Sequence, residues 1–90
     1  MDADGPFNDL PISDYYKPHI QDVRTFMRNG KWWRAAVLIR DPKSGNLFMS
    51  LYLWERRQGN WKRSSEYTIS RKADAIAVRD CIEEFLPKLQ

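Results

Sequence analysis

Residues that commonly carry catalysis or bind metals are scarce in this sequence. It holds one cysteine, Cys81, and one histidine, His19, among 90 residues. A single cysteine excludes an internal disulfide and fits a reducing compartment. His19 stands between Pro18 and Ile20 with no second histidine or cysteine at ligand spacing, so no metal site is expected. The four glycines form no Walker or Rossmann phosphate loop. No apolar run approaches the length of a membrane-spanning helix, and the first residues lack the basic-then-apolar signal pattern. These absences predict an intracellular, soluble domain. They also predict no enzymatic activity, no cofactor, no membrane contact and no small-molecule substrate.

What is present is segregated charge. Residues 1–23 sum to −4, residues 24–72 to +9 and residues 73–90 to −2. The basic middle also holds all four tryptophans. Segregation of this kind speaks to partners and association rates rather than to fold.

Residues 1–20 carry Gly5, Pro6, Pro11 and Pro18 among scattered acids. They read as an acidic flexible arm that Phe7, Leu10, Ile12 or the Tyr15–Tyr16 pair could pin locally. Residues 21–90 read as one domain. Val23 to Arg28 alternates, and Asn29-Gly30 is a strong hairpin signal because both positions tolerate positive φ. Lys31 to Arg40, Leu47 to Arg57 and Trp61 to Ile69 follow as strands. Asp41 to Asn46 and Gln58-Gly59-Asn60 are the turns between them.

The final segment has Val78, Cys81, Ile82, Phe85 and Leu89 at helical spacing, with Ser70 as a candidate cap and Pro87 ending the helix near Leu86. Cys81 on that stripe is expected in the core rather than as a nucleophile. Asp80, Glu83 and Glu84 read as a wetted helix face. The expected fold is α+β: a four-stranded antiparallel meander followed by a C-terminal helix packed on one sheet face.

Splitting each strand by its two-residue period gives the candidate site. The helix is expected on the aliphatic face of Leu47, Met49, Leu51 and Leu53. That leaves a face of Arg24, Phe26, Arg28, Trp32, Arg34, Arg40, Phe48, Tyr52, Trp54 and Arg56. The fourth strand adds Lys62 or Arg63, according to its register. Aromatic rings stack on unpaired bases, while arginine and lysine meet phosphates. Duplexes hide their base faces, so this mixture points to single-stranded DNA or RNA. Arg71 and Lys72 at the helix start either meet a phosphate or are tolerated surface charge.

Two other readings fit the same residues. A protein partner would also engage Trp, Tyr and Arg, and a structural homodimer, or the N-terminal arm, would bury Trp32, Phe48 and Trp54. The acidic arm suggests a further effect: residues 1–22 folding back to compete with nucleic acid for the basic face.

The stretch AAVLIRDPKSGNLFMSLYLWERRQGNWKRSSEYTIS, with Ile39-Arg40-Asp41, Leu51-Tyr52-Leu53-Trp54 and Gly59-Asn60-Trp61-Lys62, resembles the positive cofactor four family. Its members are single-stranded-DNA-binding transcriptional coactivators and their prokaryotic relatives. The likeness spans about residues 26–86. It implies dimerisation through the C-terminal helix, binding of single strands on a curved sheet, and a role in transcription or replication. Arg40, Lys43, Trp54 and Lys62 match the family's basic or aromatic contact positions. Ser64-Ser65-Glu66-Tyr67 stands where the family has a basic stretch ending in glycine, and Pro42 stands where it has an aromatic residue.

Overall fold

Four runs of strand-forming residues joined by short turns form an antiparallel meander, since neighbours in sequence pair first when the connections are short. The computed structural model describes residues 9–90; Phe7, Asp2 and Asp4 lie outside the described residues. The strands are β1 (Ile20–Arg28), β2 (Trp32–Arg40), β3 (Leu47–Arg57) and β4 (Asn60–Ile69), followed by the helix α1 (Lys72–Phe85). They lie in the order β1-β2-β3-β4 in one sheet. The expected α+β architecture is present, and no helix of the described residues is long and apolar enough to cross a membrane.

The turns close for different reasons. Gln58 and Gly59 both have positive φ, at 52° and 80°, the backbone of the tightest hairpin connection. Asn29 and Gly30 do not. There the Asn29 side-chain oxygen accepts from the N–H groups of Lys31 and Trp32, each at 2.8 Å, an Asx-type closure. The hairpin forms where expected, by a different mechanism.

The register decides which residues share a face. Trp33 stands opposite Trp54, Ala35 opposite Tyr52, Val37 opposite Ser50 and Ile39 opposite Phe48. This face holds the buried core. It is covered by the segment before β1, which ends in a 3-10 turn at Lys17–His19. Leu10 and Ile12 are buried in one cluster with Trp33, Tyr52 and Trp54, and the Tyr16 ring meets Phe48 at 5.8 Å. The segment's own hydrogen bonds are local, such as Ile12 N–H to Leu10 O at 2.8 Å and His19 N–H to Tyr16 O at 2.8 Å. Apolar burial therefore holds it down, at about 1.5–3 kcal/mol per large side chain.

Three expectations are corrected here. From residue 9 onward the arm is not flexible but a structural cover, held by Leu10 and Ile12, two of the pins the sequence suggested, and it lies on aromatic rather than basic side chains. The covered face is the aromatic one, because each aromatic ring buries more area than an aliphatic side chain. The helix lies over the opposite face, but loosely: a cavity of about 470 Å³ separates Phe26, Met49, Leu51 and Ile69 from Ala75, Val78 and Ile82.

None of the 14 residues of α1 is buried. Cys81, expected in the core, is exposed, and Phe85 keeps 50% of its surface. Arg71, not Ser70, precedes the first turn, with no side-chain cap. The helix ends as expected, passing into a 3-10 turn at Leu86–Lys88 around Pro87.

Because Trp54 is wholly buried between the cover and Trp33, Trp54→Ala is expected to lower the unfolding free energy by about 3–5 kcal/mol in urea titrations. Deleting residues 1–18 is expected to destabilise the fold as well, since it uncovers Trp33, Tyr52 and Trp54; an unchanged urea midpoint would show that the cover is dispensable.

Candidate nucleic-acid interface

In a meander, the first and third turns lie at the same end of the sheet. The sequence places its bulky and basic residues around those two turns. At this end Arg28, Trp33, Trp54 and Arg63 form one cross-strand row. Trp32, Glu55 and Lys62 form the next. Arg56 pairs with Trp61, and the Arg56 N–H donates to Lys31 O at 2.8 Å. Arg57 closes the end opposite Asn60. All four tryptophans of the chain thus sit at one end with Arg28, Lys31, Arg56, Arg57, Lys62 and Arg63. Glu55 is the one acid in these rows.

Two bulges build this arrangement. Register shifts fall between Thr25 and Met27 on β1 and between Leu53 and Trp54 at the β3–β4 pairing. An extra residue on one strand moves every later side chain to the other face. Arg28 therefore joins the Trp33 face, and Arg63 the Trp54 face, while Lys62 stays beside Glu55 on the opposite side. The open question of Lys62 or Arg63 resolves as both, on different faces.

The Arg28 guanidinium lies over the Trp33 ring, 3.8 Å from its centroid, and 5.6 Å from that of Trp61. Arg56 approaches Trp61 from elsewhere, at 5.7 Å. Trp33 and Trp61 meet edge to face at 5.6 Å. Cations held on ring faces are desolvated on one side while their remaining N–H donors stay free for an anion. Lys31 and Arg57 share Glu55, at 3.8 and 2.8 Å, and Arg63 pairs with Glu66 at 2.9 Å. Exposed pairs of this kind are weak and exchange readily for a phosphate.

The residues picked out from sequence do not form one face. Phe48, Tyr52 and Trp54 belong to the covered core, with Tyr52 stacked on Trp54 at 4.9 Å. Arg28, Arg56 and Arg63 share their face but lie at its end. Arg24, Phe26, Trp32, Arg34, Arg40 and Lys62 are on the opposite face or its edge, with Arg24 held by Asp22. Lys43 sits in the turn at the far end of the sheet, where Arg40 donates to Gly45 O at 2.8 Å.

Lys31, Arg57 and Trp61 join the basic end although the face-by-face reading omitted them. Their signal was the turn positions themselves: residues in or beside the turns at 29–31 and 58–59 must converge in a meander.

Two titratable groups are displaced from their ordinary ranges. Burial, reinforced by the negative charge of Glu66, pushes the Tyr52 phenol up to about 12. The Asp22 carboxylate is lowered by the Val23 N–H it accepts from and by Arg24 beside it. No family model, no curated protein and no solved structure matches this chain.

Folded Tyr52 holds its proton more tightly than the unfolded chain does. Its contribution to stability is complete below pH 10.0 and is lost as the pH climbs towards about 12. The urea midpoint should fall across that window, and Tyr52→Phe should show a smaller fall over the same range.

Proposed function

We propose that this chain is a non-catalytic binding protein for single-stranded nucleic acid, DNA or RNA, and that the basic, tryptophan-rich end of the sheet is its contact surface. The observation that carries this reading is the gathering of two half-buried tryptophans, Trp32 and Trp61, and six cations around two adjacent turns, with Glu55 as the one acid in those cross-strand rows. Trp61 is half-buried with guanidinium groups near its ring, so a base can stack where an arginine side chain now rests. Phosphates meet Arg28, Arg56 and Lys62, which enter none of the ion pairs among the described residues. A duplex offers no ring faces to Trp61 or Trp32 and would use only the charges. The resemblance to the positive cofactor four family suggests the same class of ligand and work inside the cell, in transcription or replication, but of its four contact positions only Lys62 is exposed at this end.

A second reading concerns assembly. The apolar stripe Val78, Cys81, Ile82, Phe85 and Leu89 borders an open concavity of about 350 Å³ on α1, which favours a homodimer through that helix. The alternative of a dimer formed to bury the aromatic face loses its motive, because the chain covers that face itself.

Anisotropy titration of a labelled ~20-nucleotide single strand, beside its duplex, tests the function. The single strand should bind more tightly, with a log–log salt slope of roughly −2 for the three phosphates met by Arg28, Arg56 and Lys62, steepening to about −4 where Lys31, Arg57 and Arg63 also exchange their carboxylates for phosphates. Trp61→Ala should weaken binding by about 1–3 kcal/mol, and Lys88→Ala, on the C-terminal turn, should leave it unchanged. Equal affinity for duplex and single strand, or none at low salt, would overturn the reading. Light scattering tests the assembly: Phe85→Asp should convert a dimer to a monomer.

A further inference from the structure

The bulge in β1 has a second effect besides moving Arg28. It falls at Phe26 and leaves that ring 63% exposed; bulges commonly re-aim a side chain out of the regular pleat. Across the same face, at the far edge of the sheet, Tyr67 is 56% exposed. It pairs with Leu51 in β3. Between the two rings lies a slot of about 320 Å³, floored by Leu51 and Leu53, with Arg34 and Ser65 also lining it. Arg34 and Ser65 stand opposite Leu53 from either side.

Two exposed rings above an apolar floor, with a guanidinium and a hydroxyl beside them, have the composition of a site for a planar polar-edged ligand. Arg34 enters none of the ion pairs among the described residues. Glu66, the acid that also lines the slot, is engaged by Arg63 at 2.9 Å. The volume sits at the lower bound of small-molecule sites, about 300 Å³, which suits one base and not a duplex. The slot is also continuous with the basic end. The Arg34–Leu53–Ser65 row and the Trp32–Glu55–Lys62 row share a face, two residues or about 7 Å apart.

Resting on the function proposed above, we infer that the Phe26–Tyr67 slot is a second base-binding position, occupied by an unpaired nucleobase of the same strand that binds the hairpin end. The strand runs from Trp61 past Trp32 and Lys62 onto the open face. One base enters the slot between Phe26 and Tyr67, and the Arg34 guanidinium meets the base edge or its phosphate. Tyr67 thereby becomes a contact residue.

Because both rings are mostly exposed, Phe26→Ala with Tyr67→Ala is expected to fold normally, and an unchanged urea midpoint checks this. The full chain is titrated with a ~2-nucleotide strand, too short to hold Trp61 and fill the slot at once, and a ~20-nucleotide strand. The double variant should bind the long strand at least tenfold more weakly and the short strand within about twofold of the parent. Trp61→Ala should weaken both. Photocrosslinking of a halogenated-uracil strand to the parent should label peptides containing Phe26 or Tyr67. Unchanged long-strand affinity with no crosslink to those peptides would overturn the slot while leaving the hairpin-end site standing. Failure of every strand to bind the parent would overturn both. A double variant that becomes monomeric while keeping its affinity would assign the slot to a second copy of the chain and overturn the proposal.

Discussion

The contact between Trp33 and Trp54 is the pivot of this molecule. Their rings meet at 4.8 Å across the two central strands, and each also faces a different neighbour. Towards the middle of the sheet, Trp54 stacks on Tyr52 and the pair is roofed by Leu10 and Ile12. Towards the turns, Trp33 carries the Arg28 guanidinium on its face and touches Trp61. The Trp33 indole N–H donates to Thr25 at 3.1 Å, which fixes the ring. One buried pair thus connects the core, where burial supplies stability, with the basic end, where charges remain in water.

That arrangement follows from what can be buried and what cannot. Six cations crowd into a few cross-strand rows, and desolvating them without partners would cost far more than the sheet can return. They are kept at the end of the sheet, where the aromatic surface runs out and the two tight turns leave room for long side chains to reach solvent. Their aliphatic stems and guanidinium planes still cover ring faces. Trp32 and Trp61 are therefore shielded without being sealed, and the positive charge is concentrated without entering the core.

The strands were legible because alternation and turn chemistry act locally. Leu47 to Arg57 is a strand whichever face is inside, and Gln58-Gly59 turns the chain whatever covers it. Pro87 stops the helix by removing a donor, again a local event. The site was less legible because it depends on how strands combine. Within β2, Trp32 and Trp33 are adjacent and point to opposite faces, and nothing inside the strand says which one meets Trp54. A single-residue shift exchanges the whole set, and the bulges at Phe26 and opposite Trp54 add two such shifts. The roof was legible only as one alternative, with Leu10, Ile12 and Tyr16 as its pins, for a related reason. Leu10 and Ile12 lie among prolines and acids with no period to announce them, whereas α1 has an obvious apolar stripe. A stripe reports that a face seeks cover; it does not report that the cover lies within the same chain.

The two sheet faces therefore have unequal roles, set by how much apolar chain exists to cover them. The residues before β1 suffice for the aromatic face, which takes them because it gives the larger buried area. The opposite face is left with a loosely placed helix, the exposed rings of Phe26 and Tyr67, and the half-buried leucines between them. A chain of 90 residues has a high ratio of surface to core, so covering both faces tightly from within is hard. A small domain that closes one face completely and leaves the other open separates stability from recognition. Substitutions on the closed face act on folding. Exposed side chains on the open face and at the basic end are free to answer to a partner, because little of the fold rests on them.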